Sequence, residues 1–152
     1  MLSPNIRKYL KNHDVQFKTI SHPRAYTALQ CAQGAHIKGG FFAKSVVVKL
    51  DDKFVLVAIP ANIRLDLEQF KKETGAQHAE LAHEFEFQDK FSDCEIGAIP
   101  LLGELYGMEV YLADSLAHKE WLAFNAGNHN QLIKIKGEDF LNLVHPKTLP
   151  NC

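Results

Sequence analysis

Apolar and polar positions repeat with two periods along this chain, and the changes of period mark out its elements. Ile6, Tyr9 and Leu10 recur at helical spacing behind Ser3-Pro4, an N-cap followed by a first-turn proline, which predicts a short opening helix ending near His13. Residues 15–20 alternate as a half-buried strand does, until Ser21-His22-Pro23 stops them. Thr27 with Gln30 has the form of a capping box and predicts a second helix to about His36, broken by Lys38-Gly39-Gly40. Residues 42–50 and 53–59 are β-branched runs joined through Asp51-Asp52, a hairpin whose strands should be central.

Beyond Pro60, Leu65, Leu67 and Phe70 with late lysines and Gly75 predict a capped amphipathic helix, and a shorter helix is expected over 83–91. Residues 92–107 hold Gly97, Pro100, Gly103 and Gly107, and predict a long, shaped surface loop. Strands are expected at 108–113, 121–125 and 131–136, then a final helix from Gly137 stopped by Pro146. Strands and helices alternate irregularly and two strand pairs have short turns. That order favours an α/β (α+β) mixed sheet with helices packed around it over a regular doubly wound fold.

At 152 residues, 46% apolar and 23% charged, the chain suits one globular domain spanning 1–152, and no linker or repeat divides it. A net charge of −1 argues against a broad electrostatic clamp for nucleic acid, so any RNA contact must be local. Cys31, Cys94 and Cys152 form no C-x-x-C pair, and the first residues lack the apolar core of a signal peptide, so a cytoplasmic setting is expected. No apolar run approaches the roughly 20 residues of a membrane helix.

Walker, Rossmann, G-x-S-x-G and H-E-x-x-H signatures are absent. The eight histidines lack ligand spacing, so no metal and no cofactor is expected. Asp93 and Glu95 disfavour a thiolate at Cys94, which reads as a bystander. Lys44 stands inside an apolar strand on the side of Val46 and Val48. There it either reaches a pocket or an anion, or guards a sheet edge. Gly127-Asn128-His129 lies between strands, as a plain turn or as backbone presented to a ligand.

Together and in this order, K-S-V-V-V-K, D-C-E-I-G-A-I-P-L-L-G and F-N-A-G-N-H-N resemble the YbaK/EbsC family over about residues 17–144. The family includes free-standing aminoacyl-tRNA deacylases and the editing domain of bacterial prolyl-tRNA synthetases, and this chain resembles a free-standing member. The resemblance implies a barrel-like mixed sheet and a pocket for the aminoacyl group at the tRNA 3′ end. Lys44, Gly127 and His129 would be its catalytic residues, with Lys44 on the terminal phosphate or ribose and the backbone of the Gly127 turn at the ester. Asn128, Gly97, Ala98, Ile99, Pro100, Leu101 and Gly103 would border the substrate, with Ile59 and Phe42 as further walls. This chain has Leu101 where many relatives have proline, and Asn128 where they have threonine.

The implied reaction is hydrolysis of a small amino acid, such as Ala, Ser or Cys, from the wrong tRNA, because one methylene is worth only about 1–3 kcal/mol and a synthetase then needs a second sieve. Backbone N–H groups near Gly127 and Asn128 would serve the oxyanion. The vicinal ribose hydroxyl, or in second place His129, would activate water. Arg24, Lys38, Lys49 and Arg64 are candidate tRNA contacts. The implied partner is the aminoacyl-tRNA acceptor end, with a synthetase as a second candidate; monomer and homodimer both fit. A non-catalytic tRNA- or synthetase-binding module is the main alternative, and a small-molecule or phosphate-ester hydrolase anchored by Lys44 is the third.

Overall fold

The structure is a computed structural model and describes residues 2–150, so Cys152 lies outside the described residues. Helix α1 (Pro4–Asn12) starts where Ser3 Oγ accepts the Ile6 N–H at 3.2 Å, and it buries Ile6, Tyr9 and Leu10. Helix α2 (Ala28–Gly34) has the predicted capping box, with the Thr27 hydroxyl on the Gln30 N–H and the Gln30 side chain back on Thr27. Helix α3 (Leu67–Thr74) runs from an Asp66 cap to Gly75, whose φ of 74° ends it in the left-handed region. The short α4 (Glu84–Phe87), α5 (Asp114–Ala117) and the final α6 (Gly137–Val144) complete the helices.

The strands are β1 (Phe17–Ser21), β2 (Ala43–Leu50), β3 (Lys53–Pro60), β4 (Ala79–Leu81), β5 (Glu109–Ala113), β6 (Trp121–Asn125), β7 (Gln131–Lys136) and β8 (Lys147–Leu149). They form a three-stranded sheet, β1-β7-β6, and a five-stranded sheet, β4-β2-β3-β5-β8. The β2–β3 hairpin is interior to its sheet, while β5 runs parallel to both β3 and β8, so the sheet is mixed as expected. Strands β4 and β8 have three residues each and α5 has four, too few to show a period in the sequence.

The main core lies between the sheets, where Val55, Val57 and Ile59 meet Leu122, Phe124, Ile133 and Ile135. A second cluster under α2 joins Cys31 and Ala32 to Phe42, Ala123 and Leu132. The sheets adjoin through one parallel bridge, Phe42 to Ala123, so the strands wrap a core without closing into a barrel. The 92–107 connection departs from its reading as a surface loop. Residues 98–103 are buried because Leu101 and Leu102 supply side chains to the main core and Ile99 to a third cluster. No helix among the described residues is long and apolar enough to cross a membrane.

Candidate active site

Strand β2 brings Lys44 onto the side of the main core, opposite Ile59 of β3. Its side chain is half-buried, and no carboxylate or carbonyl among the described residues takes a hydrogen bond or ion pair from it. Burial, and after it the nearby Arg64 guanidinium, pulls the Lys44 ammonium below the ordinary lysine range. A half-buried cation with a like-charged neighbour and no acid is a site short of an anion.

The Lys44 end of β2 is tied to the Gly127 turn by two routes. Ser45 Oγ donates to the carbonyl of Ile99, and one residue earlier the Ala98 carbonyl accepts the Gly127 N–H at 2.9 Å. The Gly127 carbonyl in turn accepts the Glu95 N–H at 2.7 Å, so residues 95–99 span the two segments. By the second route, the Phe42–Ala123 bridge sets β2 beside β6. Lys44 and Asn125 each lie two residues beyond that bridge.

This geometry changes what the turn can do. The Gly127 N–H is occupied by Ala98, so it is not a ready donor to an oxyanion. Gly127 is needed for its φ of 94° and because a Cβ there would lie 3.2 Å from Ile6 Cδ1 and 3.4 Å from Cys94 Sγ. His129 is buried under Tyr26, with ring centroids 4.7 Å apart, and its Nε2 lies 2.8 Å from the Ile96 carbonyl. A carbonyl only accepts, so Nε2 carries the proton and His129 acts as a clamp between turn and loop.

Two residues that the sequence reading passed over have buried polar atoms without a hydrogen-bond partner among the described residues: His22 Nε2 and Asn125 Oδ1. His22 Nδ1 lies 2.7 Å from the Pro23 carbonyl and so carries its proton, which leaves a lone pair on Nε2. His22 pairs with Asn130 at the end of β1, and Asn125 pairs with Leu132 across β7, so both stand on the sheet face that continues from Ala123. His22-Pro23 at a strand end was the one visible sign; an asparagine at the end of an apolar strand gave none.

The other expected site residues divide. Asn128 lies in the turn, with its Nδ2 donating to Gln131 Oε1, and Gly97 is exposed beside His129, while Ala98, Ile99 and Pro100 are buried behind it. Leu101, Ile59 and Phe42 are fully buried core side chains, and a Cβ on Gly103 would lie 2.2 Å from the Met108 carbonyl oxygen, so these four support the site from within the core. A cavity of about 360 Å³ borders Gly127 on the side of Ser3, Asp93, Cys94 and Glu95, and Lys44 does not line it. Burial pushes the Cys94 thiol up to about 12, with Asp93 adding to it, which keeps the sulfur protonated. Of the expected tRNA contacts, Arg24 is paired with Glu95 and Lys49 with Glu86, whereas Lys38 and Arg64 are exposed and unpaired among the described residues.

Residues 22–143 match the aminoacyl-tRNA editing domain family, a span that contains Lys44, the 95–103 loop and the Gly127 turn. The chain belongs to this family. It is accordingly a hydrolase that deacylates aminoacyl-tRNA. The Multifunctional Ser/Thr-tRNA deacylase ProXp-y of Escherichia coli (strain K12) is 27% identical over 147 residues, covering 91% of this chain and 85% of that protein. Among solved structures, one described as a candidate trans-editing enzyme for prolyl tRNA synthetase superposes with a TM-score of 0.83 at 22% identity, covering 97% of this chain and 96% of the other. The hypothetical protein APE2540 also gives 0.83, at 14% identity, covering 95% of this chain and 96% of its own. At these identities the two structures establish the editing-domain fold.

Proposed function

We propose that this editing enzyme removes a small amino acid from wrongly charged tRNA at the end of β2 and β6, with Lys44 as the residue that holds the substrate. One observation carries this reading: the Lys44 ammonium is half-buried near Arg64 with no acid among the described residues to neutralise it. A structural lysine in that position would be expected to have a carboxylate beside it. The 3′-terminal phosphate of tRNA supplies the missing anion and places the ester over the 127–129 turn.

An aminoacyl ester needs little further activation. Water adds to the ester carbonyl, the C–O bond to the ribose breaks, and the ribose oxygen leaves with a proton, giving a free amino acid and uncharged tRNA. The vicinal ribose hydroxyl is placed to steer the water. The substrate's α-ammonium supplies donors for the two orphan acceptors, His22 Nε2 and Asn125 Oδ1. His129 serves as a positioning residue that keeps the 95–99 loop against the turn.

The size of the amino acid is limited from behind the site, where the fully packed Ile59 and Phe42 leave no room for its side chain to sink into the core. The test is a panel of tRNAs charged with Ala, Ser, Thr and Cys, the hydroxyl residues included because of the name of the ProXp-y relative. Hydrolysis should favour one or two small residues over bulkier ones by at least about tenfold, the worth of about one methylene. Uniform rates across small and large amino acids would contradict a size-selecting pocket, and tRNA retention without ester cleavage would favour a binding module.

A further inference from the structure

The open end of the three-stranded sheet has a composition that its role in the fold does not require. In the register of β1, β7 and β6, Lys18 lies opposite Lys134, Lys134 opposite Ala123, and Lys136 opposite Trp121, all on one face. A groove of about 560 Å³ runs over this end, bordered by Val15, Gln16, Lys18, Trp121, Lys134 and Lys136, and no carboxylate of the described residues lines it. None of Lys18, Lys119, Lys134 and Lys136 forms an ion pair among the described residues. In a chain whose net charge is −1, such a concentration of unneutralised cations is local.

Aromatic faces hold two of these ammoniums in place. Lys134 Nζ sits 4.2 Å from the centroid of Trp121, Trp121 stacks on Phe41 at 4.5 Å and 16°, and Lys119 Nζ lies 4.8 Å from the centroid of Phe41. The stems cover the rings while the charges stay unpaired, so a phosphate can be bound without first ordering the side chains. The lysine end lies close to the candidate site: Trp121 and Asn125 are four residues apart on β6, about 13 Å, and because α2 covers Ala123 between them, the strand end of a bound nucleic acid would pass around α2 to reach the site.

We propose that Lys18, Lys134 and Lys136, with the Trp121–Phe41 stack, form the track that holds the phosphate backbone of the tRNA acceptor end and feeds its 3′ terminus toward Asn125 and Lys44. The proposal rests on the deacylase reading of that site and adds the surface through which the nucleic acid is held. Of the tRNA contacts expected from the sequence, Arg24 and Lys49 are already committed to acids, and this track supplies free cations in their place.

The test uses uncharged tRNA titrated into the full chain and followed by the fluorescence of Trp121, the one tryptophan present. Binding should perturb Trp121 saturably and weaken with salt. Replacing the three lysines together (Lys18→Gln, Lys134→Gln, Lys136→Gln) should raise Kd at least about tenfold near physiological salt. It should also lower the slope of log Kd against log salt by roughly 2, as expected for three lost phosphate contacts at about 0.7–0.9 each. Lys53→Gln, on the far sheet, should leave Kd unchanged. If the triple variant loses its native circular dichroism, Lys18→Gln alone should still raise Kd about two- to threefold.

Unchanged affinity and salt slope in the lysine variants would overturn the track. So would a Trp121 response to polyglutamate but none to tRNA, which would assign the face to an acidic protein partner. Ester cleavage is measured separately on charged tRNA. A protein that cleaves but binds tRNA independently of these lysines loses only the track. One that binds through them but cleaves no ester loses only the deacylase reading.

Discussion

A lysine on the inner side of a strand opposes folding unless something neutralises it, and among the described residues nothing beside Lys44 does. Its folded pKa lies below its unfolded value, so between those values the unfolded chain binds more protons and stability rises with pH. That window has the ordinary lysine pKa of about 10.4 as its upper edge. Lys44→Met should therefore be at least as stable as wild type at pH 7, and its denaturation midpoint should lack the rise that wild type shows toward pH 10. A variant that melts well below wild type at neutral pH would mean that the ammonium is structural. Asn125 invites the same comparison, since its buried Oδ1 has no donor. Asn125→Leu should keep or raise the melting temperature while KM rises about tenfold, the worth of about one charge-assisted hydrogen bond; a fall in melting temperature with KM unchanged would make Asn125 a structural group.

Among the elements, the 95–103 loop carries the most. It is held by His129 to Ile96, Gly127 to Ala98 and Ser45 to Ile99, and its far end is anchored by Leu101 and Leu102 in the core. Gly103 closes it where only hydrogen fits: a Cβ would meet the Met108 oxygen at 2.2 Å and Val110 Cγ2 at 2.6 Å. Gly103→Ala should cost about 3 kcal/mol, read from the urea midpoint, because backbone and a β-branched neighbour must both shift. A loss under about 0.5 kcal/mol would show that the loop is looser than its contacts imply. The elements with strong local signals were legible beforehand. Ser3-Pro4, the Thr27–Gln30 box, Gly75 and the 121–125 and 131–136 strands all stand where capping chemistry and period-2 alternation put them. The 92–107 stretch was misread because glycines and prolines are as compatible with a buried, tightly packed loop as with an exposed one.

For the whole molecule, a mixed fold with helices around its sheets was legible, but its division into two sheets was not. The seam is a single bridge, Phe42 to Ala123, and no local pattern encodes a pairing across some 80 residues of chain. The candidate site was legible only as separate segments: Lys44 and Gly127-Asn128-His129 could be singled out by residue type, whereas His22 and Asn125 enter only once β1, β7 and β6 share a face. Likewise, a net charge of −1 conceals the lysines that the β1-β7-β6 register gathers on that face.

All of this converges on whether Lys44 holds the aminoacyl end for hydrolysis. Single-turnover deacylation of the preferred charged tRNA, with Lys44→Ala compared with wild type at saturating enzyme, addresses it most directly. The rate should fall at least about a hundredfold, which corresponds to about 2.7 kcal/mol of lost transition-state stabilisation, while the variant keeps its fold. A folded Lys44→Ala protein that hydrolyses the ester at the wild-type rate would contradict the account.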